Sequence, residues 1–341
     1  MNWYMQTGTN GDVAVSTRIR FARNLNGFKF NLTDKEEIEK LEAKIKDNLF
    51  AIGYGLKFFK LKDMDEITKQ SLIEKNIISP DFLSKNDYGA ILINDEENIC
   101  IMINEEDHLR IQVFNSGLDL SNTLNLAIEL DEKLGQILDF AKSKKYGYLT
   151  SCPSNCGTGL RASVMLHLPA LRITGNIEKV LQAVNSFGIS IRGMYGENSQ
   201  SIGDIYQISN AQTLGMSEED IINNLRIIVE KVIKQERTAR KILTKNQIEL
   251  EDKIYRCYGI LSNCKKINSE ETLELLSYIK LGTDLGILQE LTDYKVLQLY
   301  TLTKPANLQK YAGTQLETIE RDIKRAEIIK TIMKGEDKND I

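Results

Sequence analysis

Two arginines separated by one residue, Arg18 and Arg20, lie in a stretch whose residues favour a β-strand. Side chains two positions apart on a strand share a face, so both guanidinium groups are predicted to point the same way. Two such cations repel each other unless an anion lies between them, and a polyphosphate is the obvious candidate. On this motif alone, an exposed basic strand is the more ordinary interpretation.

A second charged segment, NEEDHLR at residues 104–110, directly follows an apolar run that is typical of a strand. If the strand continues, Glu106, His108 and Arg110 share one face, and a carboxylate lies beside an arginine. A solvated run of charges is the default interpretation of such a stretch. That default explains poorly why the segment follows a hydrophobic strand without a turn residue.

Two further segments combine glycine with reactive or charged residues. The first, CPSNCGTGLRAS at residues 152–163, is rich in small and hydroxyl residues that let a backbone approach a phosphate closely. It is not a Walker loop, because no Gly-Lys-Ser/Thr follows. Nearby cations could stabilise Cys152 as a thiolate, although a buried, inert cysteine is the alternative. The second segment, RGMYGE, places glycines between Arg192 and Glu197.

The elements that must position these segments mix strand and helix patterns over the first two-thirds of the chain. Apolar runs at residues 90–93 and 99–103 flank a polar turn and predict a β-hairpin. A short strand at residues 148–150 is predicted to lead into the glycine-rich loop. Thr33, with a glutamate three residues later, is typical of a capping box and predicts a helix that runs to about Ile52.

The pattern becomes purely helical near Ser217. Ser217 with Asp220 predicts one helix start, and Asn268 with Glu271 predicts another. Almost no alternating pattern follows residue 220. The sequence therefore predicts an α+β fold, with a catalytic domain at residues 1–215 and a helical C-terminal domain at residues 216–341.

Bulk composition excludes several classes of protein. The chain has 341 residues, of which 42% are hydrophobic and 27% are charged, as in globular proteins. A net charge of −4 does not favour nucleic-acid binding. No apolar run approaches a membrane span and no signal peptide is visible, so a cytoplasmic protein is predicted. The five cysteines are predicted to be free thiols, and no metal site of protein ligands is predicted.

The four segments occur in the same order and at similar spacing in the phosphagen kinase (ATP:guanido phosphotransferase) family, which the chain resembles from about Val13 to Gln212. The resemblance implies a catalytic domain with a central antiparallel β-sheet flanked by helices. It also implies transfer of the γ-phosphate of ATP, with Mg²⁺, to a guanidinium group.

The resemblance further implies roles for individual residues. Glu106 and Glu197 are expected to hold and deprotonate the acceptor guanidinium, while Cys152 orients it. Asn76 stands where the family commonly has a histidine beside the adenine, so the base contacts are expected to differ. The resemblance assigns ATP binding to Ser16, Thr17, Arg18, Ile19, Arg20, Arg110, Arg161, Ala162, Ser163, Val164, Met165, Arg192, Gly193, Met194, Tyr195, Gly196 and Glu197.

The layout resembles one branch of that family, the bacterial protein arginine kinases of the McsB type. The first motif begins at Ser16 with no helical domain before it, and a long helical region follows the last motif. Within that region, Arg321, Asp322, Arg325 and Ala326 match the RDxxRA pattern of the branch, which implies an allosteric phosphoarginine pocket. On a helix, Arg321 and Arg325 lie one turn apart on the same face, where two unpaired guanidinium groups can bind one phosphate. The alternative is a solvated helix face.

This branch implies protein substrates with exposed arginines, and a role in the stress response and in marking proteins for degradation. It also implies an activator protein, a heat-shock repressor and a Clp unfoldase as partners, with neither nucleic acid nor membrane, and it allows a homodimer. A kinase for a free guanidino metabolite is one alternative, which the missing N-terminal domain disfavours. A catalytically silent phosphoarginine-binding adaptor is the other, and the intact set of arginines and carboxylates disfavours it.

Overall fold

The computed structural model describes residues 2–194 and 201–335, with all side chains in these ranges except those of residues 49 and 50. Its strands are β1 (Ala14–Arg23), β2 (Lys57–Lys60), β3 (Ala90–Ile93), β4 (Ile99–Ile103), β5 (Leu109–Ser116), β6 (Lys142–Ser143), β7 (Gly147–Tyr148), β8 (Leu160–His167), β9 (Ile189–Gly193) and β10 (Ile205–Asn210). Its helices are α1 (Lys35–Lys46), α2 (Leu49–Ile52), α3 (Glu66–Glu74), α4 (Leu120–Ile137), α5 (Pro169–Ile173), α6 (Ile177–Asn185), α7 (Glu218–Leu243), α8 (Gln247–Asn263), α9 (Ser269–Asp284), α10 (Asp293–Leu302), α11 (Pro305–Ala312) and α12 (Thr318–Lys334).

Eight strands form one antiparallel sheet in the order β2-β3-β4-β5-β1-β8-β10-β9. Strand β1 lies in the middle of the sheet. Apolar and charged side chains alternate along it, which gives the sheet one apolar face and one polar face. Ile19 and Phe21 are buried on one face, in the core that also contains side chains of α4 and α7. Arg18 and Arg20 therefore emerge on the opposite, polar face. The predicted α+β fold with a central antiparallel sheet is confirmed.

Several local predictions are confirmed by the contacts that stabilise them. Strands β3 and β4 pair as the predicted hairpin. Ser217 and Asp220 form a reciprocal capping box at the start of α7. The side chain of Asn268 accepts a hydrogen bond from the backbone N–H of Glu271 at the start of α9.

The helix predicted from Thr33 to Ile52 is shorter and begins one residue later. Asp34 provides the N-terminal cap, because its carboxylate accepts a hydrogen bond from the backbone N–H of Glu37 at 3.0 Å. Helix α1 ends at Lys46, and α2 is a separate single turn. The predicted strand at residues 148–150 is the two-residue β7, which ends at Tyr148.

The helical C-terminal region packs around a second hydrophobic core. This core includes Ile254 of α8, Leu276 of α9, Leu299 of α10 and Ile329 of α12. Helix α7 instead packs against the sheet, in the first core. The two cores therefore divide after α7, whereas the sequence predicted a boundary between residues 215 and 216. In the described ranges, no helix is long and apolar enough to span a bilayer.

Buried polar contacts join the C-terminal helices to the sheet domain. Ser277 of α9 donates a hydrogen bond to Asp204, just before β10, at 2.6 Å. Glu74, the last residue of α3, accepts hydrogen bonds from the backbone N–H groups of Ala306 and Asn307 at 2.7 and 2.9 Å and so caps α11. These contacts hold α9, α10 and α11 beside the polar face of the sheet.

Candidate active site

The polar face of the sheet gathers the predicted arginines from neighbouring strands. Arg20 of β1 lies opposite Arg161 of β8, and Arg18 lies opposite Ser163. The Nε atom of Arg18 donates a hydrogen bond to the Ser163 hydroxyl at 3.3 Å. Arg110 reaches the same surface from β5 and electrostatically repels the β1 arginines. The prediction that Arg18 and Arg20 share a face is confirmed.

This cluster is electrostatically unfavourable without an anion. Burial, followed by repulsion from Arg161 and Arg110, lowers the pKa of Arg18 to about 10. The same two causes, burial first, hold the pKa of Arg20 well below its usual range and lower that of Arg161. The Nε atom of Arg20 is buried and has no hydrogen-bond partner among the described residues. A bound polyanion would offset the repulsion among the arginines and would accept the hydrogen bond that the Nε atom of Arg20 lacks.

Two carboxylates hold Arg110 at the edge of this face. Glu106 accepts a hydrogen bond from Nη2 of Arg110 at 2.6 Å, and Glu105 forms an ion pair with Nη1. Glu105 is buried and also accepts a hydrogen bond from the Ser79 hydroxyl at 2.6 Å. The Glu106 side chain is 41% exposed, so it is the carboxylate that an incoming cation can reach. The role of Glu105 in fixing Arg110 was missed because both glutamates lie in one acidic run.

The prediction that Glu106, His108 and Arg110 share one strand face is wrong. Strand β5 begins only at Leu109, and residues 104–108 form a bend that starts with a positive φ of 59° at Asn104. His108 is fully buried elsewhere, where its ring nitrogens bond the backbone of Leu25 and Lys29. Glu106 and Arg110 still meet, because the bend returns the chain toward the strand.

The glycine-rich loop carries Cys152 to the same edge. Cys152 precedes a short 3₁₀ turn, and its Sγ atom lies 2.9 Å from the Ser154 hydroxyl. Asp107 ties this loop to the acidic bend, because its Oδ1 atom accepts hydrogen bonds from the Ser151 backbone N–H and the Asn24 side chain at 2.7 and 2.8 Å. The sequence pattern did not distinguish this linking role of Asp107 from those of its acidic neighbours.

Gly157 shows why the loop needs glycine. Its φ is +103°, and a Cβ atom there would lie 2.5 Å from the backbone oxygen of Thr213. Any other residue would therefore be strained and would push the loop away from the segment that follows β10. This contact is within the protein, so the close approach of the loop backbone to a phosphate stays a prediction.

The remaining predicted ATP-binding residues are divided by strand alternation. Ser16, Ser163 and Met165 share the arginine face. Arg161 donates a hydrogen bond to Ser209 at 3.1 Å. Three further predicted residues lie at the end of β9, namely Arg192, Gly193 and Met194. Thr17, Ile19, Ala162 and Val164 are buried on the opposite face. Their side chains point away from the arginine face, because successive residues of a strand point to opposite faces, and their assignment to ATP binding stays a prediction. Tyr195, Gly196 and Glu197 lie outside the described residues.

The C-terminal arginines differ from the predicted unpaired pair. Arg325 is 1% exposed, and its guanidinium donates hydrogen bonds to the backbone oxygens of Thr303 and Ile267 at 2.7 and 2.8 Å and to Asp322 at 2.6 Å. Ala326 is fully buried. Arg321 is partly exposed, and its guanidinium donates hydrogen bonds to the Leu316 backbone oxygen and the Thr318 hydroxyl. The idea that both guanidinium groups are unpaired is therefore wrong.

Comparisons with known proteins agree with this geometry. A family model described as ATP:guanido phosphotransferase, C-terminal catalytic domain, matches residues 37–239, and one described as protein-arginine kinase McsB C-terminal domain matches residues 247–341. The protein-arginine kinase of Halothermothrix orenii is 46% identical over 97% of this chain and 95% of its own length. That of Halalkalibacterium halodurans is 45% identical over 99% of this chain and 96% of its own.

Solved structures of guanidino kinases share the fold over about two thirds of this chain. The duplicated taurocyamine kinase from Schistosoma mansoni, with bound transition state analog components, is 31% identical with a TM-score of 0.59. That match covers 67% of this chain but only 33% of the taurocyamine kinase. Lombricine kinase is 26% identical with a TM-score of 0.56, and the match covers 66% of each chain.

Proposed function

Because this chain belongs to the ATP:guanido phosphotransferase family and is a protein-arginine kinase, we propose that its arginine face binds the phosphates of ATP and that Glu106 receives the acceptor arginine. The charge on that face is the observation that carries this assignment. The face carries five arginines, and the two carboxylates at its edge pair with Arg110, so a net charge of three positive remains for a polyphosphate. Preorganised cations of this kind stabilise the charge on a phosphoryl group in transfer.

The acceptor chemistry follows from the properties of guanidinium. An arginine side chain is protonated at neutral pH and is a poor nucleophile until it loses a proton. The exposed carboxylate of Glu106 can bind it, align one nitrogen with the γ-phosphorus and accept the proton. Cys152 lies on the same edge of the arginine face as Glu106. Its thiol is proposed to contact the side of the acceptor guanidinium that faces away from Glu106. Glu197 is proposed as the second carboxylate from the family pattern alone.

Mg²⁺ is proposed to accompany ATP. The described residues contain no group of three histidine, cysteine or acidic side chains that could hold a metal ion. The ion would therefore be held by phosphate oxygens and water, as Mg²⁺ commonly is in kinases. The protein contributes the arginines, whose fixed positions orient the phosphate chain.

We extend the proposal to the protein's setting on the basis of the family resemblance. The enzyme acts in the cytoplasm on arginines at protein surfaces, in the stress response and in marking proteins for degradation. An activator protein, a heat-shock repressor and a Clp unfoldase are its proposed partners, and a homodimer its proposed assembly. The partial exposure of Glu106 supports a protein-borne acceptor over a small metabolite, because a side chain that is 41% exposed can be reached from the protein surface.

A phosphoarginine site is proposed at the start of α12. Arg321 and Asp322 are partly exposed there, so one can contact the phosphate and the other the guanidinium half of phosphoarginine. Arg325 and Ala326 are buried beneath them and build the floor of the site. Because the site is remote from the arginine face, its occupancy can alter activity only through a conformational or assembly equilibrium.

The kinase assignment is tested by chemical mapping of the product. The full chain is incubated with ATP and an unfolded model protein, and the phosphorylated residues are mapped with and without acid treatment. Phosphate on arginine that is lost in acid is expected from the wild type, and Glu106→Gln should show almost none. Acid-stable label on serine would refute the assignment, and label on free arginine alone would favour the metabolite kinase.

A further inference from the structure

A cavity opens at the end of the arginine face where β1 begins. Ser16, Met165 and Ile205 line it from the sheet. Leu297 and Thr301 line it from α10, on the opposite side. The cavity therefore lies between the sheet domain and the C-terminal helices, and each of them supplies one wall.

This cavity continues the proposed phosphate site. Ser16 lies two residues before Arg18 on the same face of β1, and Met165 lies opposite Ser16 on β8. Two strand residues span about 7 Å, which is short compared with a nucleotide. A ligand that places its phosphates on Arg18 and Arg20 therefore extends its other end either into this cavity or away from the sheet.

The lining of the cavity favours a flat, uncharged heterocycle. Met165, Ile205 and Leu297 provide apolar surface, and Asn76 adds an amide that can donate and accept hydrogen bonds. Lysines also border the cavity, yet the ammonium groups already have partners. Lys75 pairs with Glu97 at 2.8 Å, Lys280 with Asp284 at 2.9 Å, and Lys304 donates to the Glu74 backbone oxygen at 2.6 Å. Because these cations are already satisfied, a second polyanion is a poor fit.

We propose that α10 of the C-terminal region forms one wall of the nucleotide site, and that Leu297 and Thr301 contact the base and ribose of bound ATP. The proposal rests on the assignment of the arginine face to the phosphates. It adds a nucleotide-binding role for a helix outside the segment matched by the phosphotransferase family model, which ends at residue 239.

The docking of α10 has a direct structural cause. Helix α11 follows α10 after two residues, and the Glu74 carboxylate caps it through Ala306 and Asn307. Glu74 lies two residues before Asn76, so the same segment that anchors the C-terminal helices also lines the cavity. Binding of ATP across this junction must therefore stabilise the docked C-terminal region, and docking must strengthen ATP binding by the same factor.

The test compares ATP with inorganic tripolyphosphate, which has the phosphates but no nucleoside. Leu297→Trp in the full chain overfills the cavity and should weaken ATP binding, measured by calorimetry, by at least about tenfold. Tripolyphosphate affinity should stay within about twofold, because the arginine face is unchanged. Ile260→Trp, on the exposed side of α8, is the matched control and should leave both affinities at the wild-type value.

Each result for Leu297→Trp either supports or overturns the role of α10 in the nucleotide site. Unchanged ATP affinity in Leu297→Trp, or an equal loss for ATP and tripolyphosphate, would overturn the assignment of α10. If circular dichroism shows that Leu297→Trp is misfolded, Leu297→Ala replaces it, with an expected loss on the order of fivefold for ATP alone. A failure of the phosphate assignment is recognised separately, because Arg20→Met would then leave tripolyphosphate binding intact.

Discussion

Replacing Arg18 with methionine should stabilise the nucleotide-free protein while it weakens ATP binding. Burial and two neighbouring guanidinium groups lower the pKa of Arg18 to about 10. That shift from the ordinary arginine value corresponds to roughly 3 kcal/mol of unfavourable free energy for the charged side chain. Methionine retains much of the apolar stem but loses the hydrogen bond to Ser163, at a cost of about 1 kcal/mol. The free energy of unfolding should therefore rise by about 2 kcal/mol.

The pH dependence of this penalty has a definite sign. The folded-state pKa of Arg18 lies below that of the unfolded chain, so both states are fully protonated at neutral pH and the penalty is then complete. It fades only as the pH rises above about 10, where the unfolded chain binds more protons than the folded protein. Measurements between pH 7 and 8.5 therefore report the whole effect.

The assay is urea denaturation followed by circular dichroism, with and without saturating ATP. Without ATP, Arg18→Met should unfold at higher urea than the wild type. With ATP, the wild type should gain stability through ligand binding and the variant should gain much less. Arg256→Met is the control, because Arg256 is an arginine of α8 outside the cluster whose side chain is 71% exposed, and loss of its surface ion pair with Asp252 should change stability little. A variant less stable than the wild type without ATP, yet equally stabilised by it, would refute the argument that repulsion dominates this face.

Three further predictions follow from other groups. Glu106→Gln should reduce turnover by a factor on the order of a hundred or more, as expected for a lost general base. Its ATP affinity, measured by calorimetry, should stay near that of the wild type. Normal turnover with lost ATP affinity would contradict the assignment. Cys152 should be alkylated quickly at neutral pH, more slowly with ATP bound, and with loss of activity, whereas burial raises the pKa of Cys257 and should slow its reaction. Equal rates at both thiols, measured by mass spectrometry of the native protein, would contradict that difference. Burial outweighs the two cationic neighbours of Asp284 and raises its pKa to about 6. Between about pH 4 and 6 the folded protein therefore holds a proton that the unfolded chain has released. The free energy of unfolding should fall as the pH rises through this range. Asp284→Asn should lose that part of the slope in urea denaturation at pH 4.5 and 6.5, and a slope equal to that of the wild type would count against it.

The amino-acid sequence by itself determined the features that depend on neighbouring residues. Alternation along β1 sufficed to place Arg18 and Arg20 on one face, because the side-chain period of a strand is two. Helix starts at Ser217 and Asn268 were predictable, because a cap is formed by residues three apart. The four motifs and their order were enough to identify the family, and the comparisons confirm it.

Only the tertiary structure decided which residues meet across the fold. The same alternation that unites the arginines turns Ile19 away from the site, and a positive φ at Asn104 ends the expected continuation of β4. Burial of Arg325 depends on carbonyl groups of the residue that follows α10 and of the segment before α9, which no helical spacing reveals. The cavity beside Ser16 is completed by Leu297, more than 280 positions away in the chain. Such contacts depend on how whole helices and strands pack. Packing minimises the exposed apolar area and the number of unpaired polar groups over the entire molecule. A local sequence pattern therefore does not show which distant residues come into contact.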